Sequence, residues 1–178
     1  MIELPLQAVL VLLVVAALAA TVLRDVLSAI IVFTIFSLAA SVTYVLLSAP
    51  DVALTEAAVG AGITSVLFLV TIARTVRPVG DRLLIAVDRR AAVAAVALAG
   101  VLAVGVAGLP PAGAADSVVA SGPVTSYYLS EAYAETGVKN AVTAVLAAYR
   151  GFDTLGEAVV VIAAGIAVLL VLHQEDLV

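Results

Sequence analysis

VALTEAAVGAGITSVLFLVTIA, residues Val52–Ala73, decides the fold. Its 22 residues lie between Asp51 and Arg74 and carry one charge, Glu56. A helix needs about 20 mostly apolar residues to cross a hydrocarbon core of roughly 30 Å. The stretch is long enough, and it holds a carboxylate that costs at least ~2.5 kcal/mol to insert, so Glu56 is a functional candidate. Close to the helix start, Glu56 could also serve only the positive end of the helix dipole. Gly60 and Gly62 sit mid-stretch, where each glycine costs a helix roughly 1 kcal/mol relative to alanine. A hinge or π-bulge is expected there. Small residues four apart (Ala58 and Gly62, Gly60 and Thr64) also allow close helix packing.

Working outward, four further runs meet the same test: Leu4–Leu23, Val26–Ser48, Ala91–Gly108 and roughly Leu155–Leu172. Ala17-Leu18-Ala19 mimics a signal cleavage site, but Glu3 stands where a signal carries positive charge, so the first run is read as a retained helix. Val138–Tyr149 is helical in pattern but spans only about 18 Å, too short to cross. The expected fold is all-α: an integral membrane protein with about five transmembrane helices plus a short interfacial helix. Composition agrees. The 178 residues are 65% hydrophobic and 12% charged, with mean hydropathy +1.28. Soluble domains run at roughly 45–50% and about 25%. Eight Lys and Arg against 13 Asp and Glu, with no basic run, argue against nucleic acid. With no cysteine and a single His173, neither thiolate metal sites nor Ser-His-Asp chemistry is expected. No metal, cofactor or enzymatic activity is anticipated.

Arginines orient the chain. Arg24 follows the first run, and Arg74, Arg77, Arg82, Arg89 and Arg90 lie between the third and fourth. Alternation puts both loops on one side, which the positive-inside rule makes cytoplasmic. The N-terminus is then outside and the C-terminus inside, in a plasma membrane. The charged linker Thr75–Arg90 divides a three-helix front (1–80) from a two-helix back (81–178) with a long outer loop. Tyr127, Tyr128 and Tyr133 in that loop suit a membrane–water interface.

Other polar groups fall into patterns. Ser37, Ser41, Tyr44 and Ser48 share one helical face, which helix–helix hydrogen bonding alone would explain. Asp51 suits a helix N-cap. Lys139, Thr143 and Arg150 share a face of the short helix, and Asp153 lies within reach of Arg150. Thr154-Leu-Gly-Glu157 fits a capping box. Yet only 15 apolar residues follow Glu157, about 22 Å, so the last helix must begin earlier and draw Glu157 below the surface. Glu56 and Glu157 each lie near the start of a helix running inward. At similar depth, with Lys139 and Arg150 nearby, they would form a coupled site for H⁺ or a hard cation such as Na⁺.

Arg24-Asp-Val-Leu-Ser-Ala29, Leu47-Ser-Ala-Pro-Asp-Val-Ala-Leu-Thr-Glu-Ala-Ala-Val-Gly-Ala-Gly62 and Arg150-Gly-Phe-Asp-Thr-Leu-Gly-Glu157 resemble the C-terminal part of the large A subunit of Mrp-type multisubunit sodium/proton antiporters. The same modules occur separately as MbhD and MbhE in membrane-bound hydrogenases. Residues 1–80 resemble the first and about 85–178 the second. The resemblance implies a five-helix unit, related to the J-type subunit of respiratory complex I, that links an antiporter-like subunit on another chain to small subunits. It implies H⁺ and Na⁺ as transported ions, the other complex subunits and the lipid bilayer as partners, and an ion path through Glu56 and Glu157 with Lys139, Arg150 and Asp153. Lys139 and Asn140 fall in a familiar Gly-Val-Lys-Asn-Ala-Val string. Ala148 and Thr143 depart from the pattern, which usually has an acid and an Asn there. A hydrogenase subunit and a purely structural linker are the alternative readings.

The topology is testable in intact cells. Ser121→Cys should react with an impermeant thiol reagent and Val79→Cys should not; the reverse pattern inverts the orientation.

Overall fold

The computed structural model describes residues 3–75, 83–111 and 113–174, with side chains to Leu170. Arg77, Val79 and Arg82 lie outside the described residues, as do Glu175, Asp176 and the His173 side chain. Five helices are long and apolar enough to cross a membrane: Glu3–Val22, Val26–Leu46, Pro50–Ala73, Arg89–Ala107 and Gly151–Leu170. The chain divides into two compact units, Met1–Leu109 and Pro110–Val178.

In the front unit, α1 (Glu3–Val22) packs on α2 (Val26–Leu46), and α2 packs on the third span. That span is α3 (Pro50–Glu56), a π-helical stretch (Ala57–Thr64) and α4 (Ser65–Ala73) in one continuous run. The two mid-stretch glycines fall inside the π-helical part. The core is small: Ala16, Ile30, Ala39 and Ala53 are buried, with Ser37, Thr43 and Ser65 among them. Phe33 and Phe68 meet edge to face at 6.0 Å. Asp25 caps α2, accepting from Ser28 N at 3.0 Å and Ser28 Oγ at 2.7 Å. After the third span, residues 83–85 pair with the α1–α2 turn: Arg24 N donates to Leu83 O and Ile85 N to Val22 O. The Arg24 turn and the segment leading to Arg89 therefore meet at one end of the unit. α5 (Arg89–Ala107) follows, capped by Asp88.

Two expectations about helix starts are corrected. Asp51 is not the N-cap. Ala49 holds that place, because Pro50 fits the first helical position, and Asp51 lies in the first turn. Nor does Thr154 cap the last helix, which begins at Gly151.

The back unit holds α6 (Val118–Ser121), α7 (Pro123–Thr136), α8 (Ala141–Ala144), a second π-helical stretch (Val145–Tyr149) and α9 (Gly151–Gln174). α7 replaces part of the expected long loop. Its ends carry the usual signals: Pro123 at the first position and Gly137 after the last turn at φ 72°. α7 and α8 meet through Ala132 and Ala144, 2% and 0% exposed. Asn140 caps α8 by accepting from Thr143 N at 2.9 Å. At the break before α9, Thr154 Oγ1 donates to Leu146 O at 2.8 Å, satisfying a carbonyl that the π winding leaves out of register.

Gly137 sits in the left-handed region, where a Cβ costs about 1 kcal/mol or more. Gly137→Ala should lower the heating temperature at which the detergent-purified protein loses monodispersity. Gly137→Asn should lower it less, and equal behaviour of both variants and wild type would refute the strain argument.

Candidate ion-path residues

α2 presents Thr34, Ser37 and Ser41 to the third span, along about 10 Å of helix. Each meets a different level of that span. Thr34 Oγ1 and Ser65 Oγ lie 2.7 Å apart. Ser41 Oγ donates to Ala53 O at 2.6 Å. Between them sits Ser37, 1% exposed, its hydroxyl over Gly60. Glu56 occupies the same space. It ends α3 six residues past Pro50, about 9 Å along the helix, and is half-buried. A Cβ built on Gly60 would collide with Glu56 Oε1 and stand 2.8 Å from Ser37 Oγ. The carboxylate thus fills the room that Gly60 leaves empty, against the hydroxyl seam of α2.

The two glycines differ. A Cβ on Gly62 would meet Ala57 O at 3.5 Å, an ordinary contact. Gly60 shapes the Glu56 site and Gly62 does not touch it.

In the back unit, Arg150 and Asp153 pair, with Nε and Nη2 both 2.5 Å from Asp153 Oδ2. Their side chains are 67% and 53% exposed, so the pair adds little stability in water. Lys139 is exposed on the turn before α8. Glu157 is exposed six residues into α9, on the face that carries Asp153 one turn earlier. Its carboxylate makes no hydrogen bond or ion pair among the described residues.

Glu135, which sequence reading passed over, has the densest setting. Tyr127 donates to Glu135 Oε1 at 2.6 Å, and Tyr149 donates to Oε2. Tyr128 stacks between them, 5.8 Å from Tyr127 and 4.9 Å from Tyr149. The two phenol bonds hold the Glu135 carboxyl below its ordinary value. The Glu135 bond pushes the Tyr149 phenol up to about 12 and raises Tyr127. The spacing Tyr127–Glu135, two helical turns apart, was the available signal. Thr34 and Ser65 were also missed; Thr34 does continue the Ser37 and Ser41 face.

Residues 11–77 match the MbhD family, described as the D-type component of MBH, and residues 88–175 match the MbhE family, described as its E-type component. The chain belongs to the MbhD and MbhE families, joined in one polypeptide. Its MbhD part holds Glu56 and the hydroxyl seam; its MbhE part holds Lys139, Arg150, Asp153, Glu135 and Glu157. Two staphylococcal proteins, each named antiporter subunit mnhA2, resemble nearly all of it. The one from Staphylococcus saprophyticus is 32% identical over 162 residues, and the one from Staphylococcus haemolyticus 30% over 169. Each match covers 91% of this chain and 19% of the relative, so the chain spans about a fifth of their length. A chain of the Mrp complex from Dietzia sp. DQ12-45-1b is 33% identical with a TM-score of 0.77, over 94% of this chain and 18% of that one.

Two measurements check this geometry. Gly60→Ala should reduce the yield of folded protein or displace Glu56, whereas Gly62→Ala should leave yield and thermal stability near wild type; equal effects would undo the distinction. The second is a pH titration. Glu135 has a depressed pKa, so its clasp is full above the unfolded value near 4.5 and is lost as pH falls through the lower folded value. Tyr149 has a raised pKa, so its share is full below 10 and is lost as pH rises through about 12. Near-ultraviolet absorbance should show a late tyrosine step near pH 12, absent in Tyr149→Phe and moved toward 10 in Glu135→Gln.

Proposed function

We propose that this chain is a membrane subunit of a multisubunit sodium/proton antiporter, in which Glu56 and Glu157 pass protons or cations. The observation that carries the reading is Glu56, a carboxylate on a membrane-spanning helix, held on a face of hydroxyls in a π-helical setting. Such windings recur at functional positions, and intramembrane carboxylates are rarely idle. The likeness to mnhA2 and to the Mrp complex chain supports the antiporter class. The family descriptions alone leave a hydrogenase complex open. Relatives that carry both modules in one chain, as here, are named antiporter subunits.

Transport, not catalysis, is the role. The partners are other antiporter-complex membrane subunits and the bilayer; the ions are H⁺ and Na⁺. The N-terminus faces outside and the C-terminus the cytoplasm. The division is 1–80 and 81–178, following the charged linker. Lys139, Arg150 and Asp153 supply the charged mouth before α9, tuning a carboxylate six residues further in. Starting α9 at Gly151 gives Glu157 about 9 Å of helix above it, which supports a buried position in the membrane.

The test is sodium-dependent proton movement in everted vesicles, with the chain expressed among its complex partners and rates normalised to assembled complex. Glu56→Gln and Glu157→Gln keep size but cannot ionise. Each should cost roughly tenfold or more in rate, as loss of a proton-transfer group does. Full activity of both variants would end the proposal that these carboxylates carry ions.

A further inference from the structure

Thr34 and Thr43 turn their hydroxyls back to their own helix, onto Ile30 O at 2.9 Å and Ala39 O at 3.0 Å. Ser37 lies between them on α2, nearly sealed from solvent, and its hydroxyl is aimed the other way, over the bare Cα of Gly60. Glu56 Oε1 reaches that same position from one turn earlier in the third span. A buried hydroxyl donor and a carboxylate oxygen thus converge on a space that any side chain at Gly60 would close. Ser37 touches the acid and not its backbone, so its effect must fall on which protonation state the acid prefers. A hydrogen bond to the charged form of a carboxylate favours that form.

We propose that Ser37 is a positioning residue for Glu56: its hydroxyl holds the carboxylate over Gly60 and donates to it when it is ionised. The inference deepens the antiporter reading and rests on it. When Glu56 takes a proton, the bond loses most of its strength, and the carboxyl is free to leave the Gly60 space. Ser37 then favours the unloaded state of the carrier. The other titratable groups on the surrounding elements are Glu3 on α1, Tyr44 on α2 and Asp51 on α3. Asp51 is closest in sequence, five residues before Glu56. Tyr44 stands two turns beyond Ser37 and is exposed. No basic side chain lies on α1, α2 or α3, so a neutral donor is what this part of the unit offers the charge.

The experiment is the pH profile of sodium-dependent proton movement in everted vesicles containing the whole complex. Without the donor, Glu56 stays protonated to higher pH, so Ser37→Ala should move the profile alkaline by about half to one pH unit. Ser37→Thr keeps the hydroxyl and should restore the wild-type profile. Ser37→Cys, a weaker donor of similar size, should fall between. Assembled complex is quantified for each variant, because a purely structural role would lower yield and leave the profile in place. Glu56→Gln separates the two claims. If Glu56→Gln is inactive while Ser37→Ala and Ser37→Cys both keep the wild-type profile, the positioning role is wrong and the antiporter reading stands. If Glu56→Gln is fully active, the carrier role of Glu56 fails and this inference falls with it.

Discussion

Hydrocarbon offers no hydrogen bonds, so every polar group within the membrane must be met by the protein itself. The seam between α2 and the third span answers that constraint. Ser65 meets Thr34, and Ser41 meets the Ala53 carbonyl. Glu56 is harder to house, because its charge cannot be hidden by shape alone. It fits because Gly60 has no side chain. Were that space filled, the carboxylate would have to turn outward, toward lipid, at a cost of at least ~2.5 kcal/mol. One missing Cβ therefore decides whether the third span is an ordinary anchor or the holder of an acid.

The chain uses one device twice. Each compact unit contains a π-helical stretch, Ala57–Thr64 in the front and Val145–Tyr149 in the back. π winding shifts carbonyls out of the usual ladder, and a later hydroxyl reaches back to them. Ser65 Oγ lies 3.4 Å from Gly60 O, and Thr154 Oγ1 lies 2.8 Å from Leu146 O. Both stretches adjoin charge: Glu56 before the first, Arg150 after the second. The local unwinding and the polar side chains belong together, since each would be costly in apolar surroundings without the other.

The spans were legible because they depend on length and composition, which need no knowledge of neighbours. The bulge in the third span was legible for a similar reason, as Gly60 and Gly62 both weaken a helix. Which glycine mattered was not, because that depends on the rotation of the third span about its axis. Thr34 and Ser65 are 31 residues apart, and periodicity names a face without naming the face opposite. Asp51 and Thr154 were read as caps from residue type alone; Pro50 and the break at Arg150 moved both helix starts upstream. α7 was hidden by its mixed composition, although Pro123 and Gly137 marked its ends. Its tyrosines were read as interface anchors, and the partner that two of the loop's aromatic hydroxyls share, Glu135, drew no notice.

The back unit poses the opposite problem from the front. Glu56 is enclosed by its own unit, whereas α9 has no buried residue among its described side chains up to Leu170. Asp153 has Arg150, but Glu157 has no partner among the described residues of its unit. Left against acyl chains, its charge would cost ~2.5 kcal/mol or more. Cover must come from another surface in the membrane, whether the front unit or a neighbouring chain. A helix that is apolar on all sides except for one acid early in its length is built to be finished by a neighbour. The same argument applies to α5, apolar and exposed over most of its described length. The physical chemistry of the back unit thus calls for assembly before it can call for transport.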